Sequence, residues 1–309
     1  MNDQLSEPGG KVRLYVEVAA LVEGAQIAAT PAQAHYLLHV MRARAGDRLS
    51  LFNGHDGEWL ARIAEVTKRS CVFACERRTR AQTDTPDLWL CFAPIKKTPA
   101  DYVSQKATEL GVSVLQPVMT RRTIVSRVNR ERLKANAIEA AEQSDRLTVP
   151  DAREPITLEK LLTHWPAERR LLFCDEAGEA PPIAQALATQ PPPPLVGAGE
   201  LRARRSNSGE GAFEPEPLPQ SSHAAYVRIA PSRKGSGEAF AILTGPEGGF
   251  DPAERDVIRK HPFVIPVSIG PRILRADTAA LAALSVWQAL CGDWRQLALL
   301  ACGPDTTCL

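Results

Sequence analysis

The sequence predicts an α/β protein in two parts, a compact, mainly β domain followed by a domain built on a parallel sheet. Three observations lead there. Up to about residue 82, short runs of alternating apolar and polar residues are separated by turn residues, with one helical pattern among them. From Asp87 onward, apolar runs of strand length alternate with helical patterns, as in a sheet assembled from crossover units. Finally, ten of the 25 prolines lie between Pro181 and Pro231, so one segment is compositionally foreign to the rest.

In the first part, residues 11–18 (KVRLYVEV) read as a strand, 47–54 (DRLSLFNG) and 57–66 (GEWLARIAEV) as two more around the turn NGHDG, and 70–78 (SCVFACERR) as a fourth. A single helix interrupts them. Thr30-Pro31-Ala32-Gln33 is a capping-box start with Pro at the first helical position, and the helical pattern of residues 32–45 ends at Gly46. Four strands and one helix predict a small barrel.

In the second part, LWLCFAPI (88–95) is apolar throughout, as expected of a strand covered on both faces. Thr98-Pro99 opens a helix over 100–110 that Gly111 closes, and VSVLQPVM (112–119) is the next strand. A second helix covers 131–144, a third strand 170–176 and a fourth 239–245. Asp251 caps the following helix, 263–270 is a fifth strand, and 278–292 forms the last helix. The expected division is 1–82 and 83–295, with a tail at 296–309. Within the second domain, residues 189–237 are too rich in Pro, Gly, Ser and charge to bury a core and read as a disordered insertion, with a Pro-rich docking site as the alternative.

Composition removes several classes of function. The longest uncharged apolar stretch, 278–292, is shorter than the roughly 20 residues a bilayer requires, so no membrane partner is expected. The first residues, MNDQLSEPGGKVR, contain acids and lack an apolar core, so no secretory signal is read and a cytoplasmic location follows. Seven scattered cysteines without C-x-x-C suggest inert thiols and no metal site. His35 and His39 lie one helical turn apart without a third ligand nearby, which favours packing or RNA stacking over metal binding. Net charge is only +1, yet residues 120–134 (TRRTIVSRVNRERLK) hold six basic residues against one acid. Such a run can follow a phosphate backbone or simply solvate a helix face.

Two Gly-Pro turns concentrate the possible chemistry. LTGPEGGF and SIGPRILRADT each follow a strand and lead into a helix, so both fall at the carboxyl ends of parallel strands, where open α/β sheets bind ligands. They are expected side by side. Neither is a Walker A loop or a G-x-G-x-x-G fingerprint, and no G-x-S-x-G elbow occurs.

Taken in order, HYLLHVMRARAGDRLSLFNG, DYVSQKATELGVSVLQPV, AIEAAEQS, LTGPEGGF and SIGPRILRADTAAL resemble the ribosomal RNA small-subunit methyltransferase E family of the SPOUT superfamily, whose C-terminal fold holds a trefoil knot. The resemblance implies a knotted parallel-sheet domain preceded by a PUA-like barrel. It implies S-adenosyl-L-methionine-dependent methylation of N3 of a uridine in 16S rRNA, by a homodimer acting on the rRNA or the small ribosomal subunit without a metal. It carries cofactor binding onto Leu243, Gly245, Gly248, Ile269, Gly270 and Leu274. Arg275, Asp277 and Glu247 are the catalytic candidates, Asp277 alternatively serving as the N-cap of the last helix. Arg13, Arg42, Arg44, Arg121, Arg122 and Arg272 are candidates for RNA phosphates, with surface solvation as the alternative. A non-catalytic RNA-binding protein, or a related methyltransferase for another base or ribose, are the competing readings.

Overall fold

The computed structural model describes residues 12–95, 97–176, 180–188 and 239–295. The predicted insertion at 189–237, the tail from 296, Cys302 and Cys308 lie outside the described residues.

Five strands form the N-terminal domain: β1 Arg13–Tyr15, β2 Gln26–Ala28, β3 Arg48–Phe52, β4 Glu58–Val66 and β5 Cys71–Arg80. Their order is β1-β3-β4-β5-β2; β1 pairs with β3 in parallel and the other pairs are antiparallel. β2 was absent from the sequence reading because three residues are too few to display alternation. Helix α1, Pro31–His35, begins at the predicted capping box, with the Thr30 hydroxyl accepting from the Gln33 amide at 3.2 Å and the Gln33 carboxamide oxygen accepting from the Thr30 amide at 3.0 Å. It continues as a π-helical turn, Tyr36–Val40, and stops well before Gly46. Arg42 takes a left-handed conformation (φ 55°) and the Ala43 amide closes onto the Leu37 carbonyl at 2.9 Å, a helix-ending geometry that sequence assigns to glycine. Leu37, Leu51, Ile63 and Phe73 are fully buried in this domain's core.

The second domain runs β6 Leu88–Phe92, α2 Lys97–Glu109, β7 Val114–Met119, α3 Arg130–Gln143, β8 Asp151–Ala152, β9 Ile156–Thr157, α4 Leu158–Thr163, β10 Arg169–Cys174, α5 Ile183–Ala188, β11 Ala239–Thr244, α6 Pro252–Arg259, β12 Val264–Val267 and α7 Ala276–Leu290. The five anticipated strands are joined by the two-residue β8 and β9, giving a seven-stranded sheet of order β12-β10-β11-β6-β7-β8, with β9 beside β7 and every pair parallel. Alternate residues of each strand face opposite layers. Leu88, Leu90 and Phe92 pack with α2, α3, α5 and α7, whereas Trp89 and Cys91 pack with α4 and α6. Burial on both faces explains why the strand sequences lack alternation.

The two domains are locked through β1 and α3. Arg13, only 8% exposed, pairs with Glu58 at 3.1 Å and donates to the carbonyls of Ala141, Glu142 and Arg146 at 2.9–3.1 Å. Arg146 is itself buried and donates to the carbonyls of Thr108 and Val112. Loss of water draws its guanidinium down to about 10. The Tyr15 amide donates to Glu142 at 2.9 Å, and Phe52 packs with Ala141 and Leu147. Arg13 therefore belongs to a buried joint. Its expected role at RNA phosphates is corrected, because no donor of a buried, fully engaged guanidinium reaches the surface.

Candidate functional site

The parallel sheet brings the ends of β10, β11 and β12 to one edge. β10 lies between β11 and β12, so the two glycine turns flank a third strand instead of adjoining as sequence suggested. That intervening strand ends in Cys174-Asp175-Glu176, and both carboxylates are engaged. Asp175, fully buried, pairs with Arg255 at 3.2 Å and Arg259 at 2.5 Å on α6. Glu176 accepts the Phe250 amide at 3.1 Å. Burial beside these acids pushes the Cys174 thiol up to about 12, and Cys91 likewise reaches about 12, so neither thiol is a nucleophile near neutrality.

The turn after β11 is shaped by its packing. A side chain at Gly245 would meet the ring of Phe250 at 2.8 Å, and that ring is buried edge-on against Phe173 with centroids 5.1 Å apart. Gly249 adopts φ +67°, and a Cβ there would lie 1.9 Å from Glu176 Oε1. This is the residue whose missing side chain the turn requires. Gly248, the neighbouring glycine to which the resemblance carries cofactor binding, has no left-handed φ, and the nearest neighbours to a Cβ there are Arg122 carbons at 3.9 Å. The sequence signal was the pair Gly248-Gly249 itself; which glycine carries the demand depends on Glu176, 73 residues away. Leu243 is fully buried with Phe250 in the core, leaving only its backbone for a ligand. Glu247 is exposed on the turn.

Two arginines of the basic run brace the same turn. Arg122 donates to the Gly248 carbonyl at 3.0 Å, Arg121 pairs with Asp251 at 3.1 Å, and the Arg121 amide donates to Glu254 at 2.8 Å. Glu254 also closes the predicted capping box of α6 by accepting the Asp251 amide at 3.2 Å. Further along the run, Arg132 pairs with Asp101 at 2.5 Å, Arg130 donates to the Ala152 carbonyl at 2.7 Å, and Lys134 pairs with Glu17. The run is therefore not one uniform basic face; it divides between internal pairing on α3 and the turn.

After β12 the chain is more open. Gly270 takes φ +119° with nothing within 4 Å of a Cβ position. Ile269 packs partly on the core, Leu274 is half-buried, and Arg272, Ile273 and Arg275 face solvent, Ile273 being 94% exposed. Arg275 occupies the N-cap of α7 without a side-chain cap bond, and Asp277 sits one residue inside the first turn. The capping role considered for Asp277 is corrected accordingly. Its Oδ1 instead accepts the Thr278 amide at 2.7 Å, which fixes its direction. Arg42 and Arg44 remain exposed on the N-terminal domain, about the turn that ends the π-helical segment. The His35 and His39 rings are 4.9 Å apart, and no group of three metal-ligating side chains occurs among the described residues.

A β domain joined to a parallel sheet, with one packed and one open glycine turn and exposed arginines at the carboxyl edge, is an α/β arrangement of the kind that holds ligands at that edge. Family comparison gives the class a name. Residues 83–196 and 219–288 match the RNA methyltransferase domain, and residues 29–74 match the RNA methyltransferase PUA domain. The chain belongs to the RNA methyltransferase family. It is 29% identical over 274 residues to the ribosomal RNA small subunit methyltransferase E of Rickettsia conorii, covering 88% of this chain and 93% of the relative. It is 28% identical over 281 residues to the Synechocystis protein of the same name, covering 90% and 77%. Among solved structures, a Legionella pneumophila methyltransferase with bound S-adenosylmethionine superposes with TM-score 0.67 and 26% identity over 91% of this chain and 98% of that one. The Neisseria gonorrhoeae ribosomal RNA small subunit methyltransferase E, also bound to S-adenosylmethionine, gives TM-score 0.69 and 24% identity over 92% and 99%.

Proposed function

We propose that this protein is an S-adenosylmethionine-dependent methyltransferase for N3 of a uridine in 16S rRNA, acting as a cytoplasmic homodimer whose β11 and β12 turns lie in a trefoil knot. The observation that carries the reading is the pair of glycine turns at one sheet edge, in a chain whose relatives of nearly full length are methyltransferases. The residues present fit such a cofactor: Gly270 leaves its surroundings open at φ +119°, and the backbones of Gly245, Gly248, Ile269 and Leu274 line the two turns. S-adenosylmethionine supplies the electrophilic methyl group. The protein then has to hold the uridine in line with it and stabilise N3 as its proton leaves, and positioning of that kind accounts for much of the rate in displacement reactions.

Arg275 would face the developing anion; its side chain is exposed at the start of α7 and makes no cap bond, which supports that role. Asp277, held by the Thr278 amide, and Glu247 on the turn after β11 are the carboxylates that would accept the N3 proton. Arg272 on the turn after β12, and Arg42 and Arg44 on the PUA-type domain, would bind RNA phosphates. Calorimetry with S-adenosylmethionine, followed by mass-spectrometric mapping of 16S rRNA from a strain lacking the gene, tests the reading. The expected result is cofactor binding and the loss of one N3-methyluridine. Absence of cofactor binding would leave an RNA-binding protein, and loss of a ribose methyl group would identify a different methyltransferase.

A further inference from the structure

We infer that Arg121 and Arg122 couple RNA binding to cofactor binding, acting as positioning residues that join the phosphate-binding run to the turn after β11; the inference rests on the function proposed above. Four contacts tie the run to the turn. The Arg122 guanidinium donates to the Gly248 carbonyl at 3.0 Å and approaches Asp251 at 3.9 Å, the Arg121 guanidinium meets Asp251 at 3.1 Å, and the Arg121 amide is held by Glu254 at 2.8 Å. On the other side the same turn is held by Glu176 through the Phe250 amide. The backbone of residues 248–250 is thus suspended between a fixed carboxylate at the end of β10 and a pair of arginines at the end of β7.

Both supports reach solvent, but only the arginines offer it hydrogen-bond donors. Arg121 and Arg122 side chains are 65% and 47% exposed, so both present N–H donors outward while holding the turn. Asp251 and Glu254 balance the two guanidiniums in formal charge, so what the cluster offers is donors: a guanidinium can bond a carbonyl with one N–H and a phosphate oxygen with others. A phosphate bound there immobilises the Arg122 side chain in the rotamer that supports Gly248. The turn then loses less conformational freedom when the cofactor binds, and the gain is positive coupling between the sites. By linkage the cofactor must tighten RNA binding by the same factor.

Calorimetry on the full chain reads this directly, using S-adenosylhomocysteine as a cofactor analogue without a transferable methyl group and poly(U) as the RNA at fixed ionic strength. In the wild type, saturating poly(U) should tighten S-adenosylhomocysteine binding about five-fold or more, and the analogue should tighten poly(U) binding equally. Arg122→Ala should bind each ligand more weakly and show a factor near one. Arg122→Lys, which keeps the charge but not the fork, should retain the salt dependence of poly(U) binding while losing most of the coupling. A wild-type factor of one, or undiminished coupling in Arg122→Ala, overturns the inference and leaves the methyltransferase reading intact. A wild type that binds no S-adenosylhomocysteine at all overturns that reading, and the coupling with it.

Discussion

Arginine serves this molecule in two settings, and the contrast separates what holds the protein together from what is left open to solvent. At the domain joint, Arg13 and Arg146 are each 8% exposed, and their donors are taken up by Glu58 and by the carbonyls of α2, α3 and their loops. At the carboxyl edge of the sheet, Arg272 and Arg275 face solvent, and Arg121 and Arg122 are only partly occupied. A buried guanidinium is already desolvated and fixed, so its loss leaves charge and carbonyls without partners. An exposed one has little to lose in the free protein and keeps its donors for a ligand. In this chain, then, stability and the recognition proposed above draw on the same residue type at positions that barely overlap.

The sharpest way to break that contrast is to exchange the consequences. Arg13→Met should cost about 3–5 kcal/mol, because Glu58 keeps only Arg80 at 2.8 Å and three carbonyls lose a charged donor. Arg275→Ala should stay within about 0.5 kcal/mol of wild type, as expected of an exposed position, while abolishing methyl transfer to rRNA. Urea unfolding and a tritiated-methyl assay measure both. If Arg275→Ala proved the less stable of the two, or Arg13→Met remained as stable as wild type, the division of labour drawn here would be wrong.

A smaller effect sharpens the comparison inside the turn after β11. Gly249→Ala must place a methyl group at φ +67° against the Glu176 carboxylate, costing about 1–2 kcal/mol in backbone strain alone and displacing the support of the Phe250 amide. Its affinity for S-adenosylmethionine should fall about ten-fold or more, since 1.4 kcal/mol is a factor of ten. Gly248→Ala has open space 3.9 Å from its nearest neighbours and should change stability by less than about 0.5 kcal/mol. Equal losses of affinity in the two variants would show that the turn does not depend on the Gly249–Glu176 contact.

These particulars also explain what was legible in the sequence. Strands such as β6 and β11, apolar throughout, and helices with caps such as Asp251 were readable, whereas the six-residue α4 and α5 were not, because so short a helix displays less than two turns of period. The short β2, β8 and β9 were not, since two or three residues display no period. The two glycine turns were visible as motifs. Their spacing in the sheet was not, because β10 enters between β11 and β12 through pairing that no local pattern encodes. Arg13 looked like a surface cation for the same reason: its partners lie 45 to 133 residues away. Glu176 could have been noticed as a carboxylate ending a buried strand, yet its partner is set only when residues 174–176 and 249–250 meet.

The least expected effect lies at the joint itself and is a matter of pH. Glu142 accepts the Tyr15 amide across the domain boundary, and burial, aided by the nearby Glu139 charge, pushes its carboxyl up to about 7 from an ordinary 4.5. Arg13 and the Tyr15 amide pull the other way without cancelling the rise. Between pH 4.5 and about 7 the unfolded chain therefore releases this proton while the folded chain keeps it. The native state binds more protons in that window, so this group's contribution to stability falls as pH rises through it and is level above pH 7 or so. Glu142→Gln preserves an oxygen for the Tyr15 amide and removes the titration. The variant should match the wild type near pH 4 and grow relatively more stable through the window, by about 1 kcal/mol after allowance for solvent screening. Melting temperatures of both proteins from pH 4 to 8 decide it. A variant less stable at every pH would mean that the Arg13 charge already holds Glu142 ionised, making the joint a buried ion network in place of a neutral carboxyl beside a paired arginine.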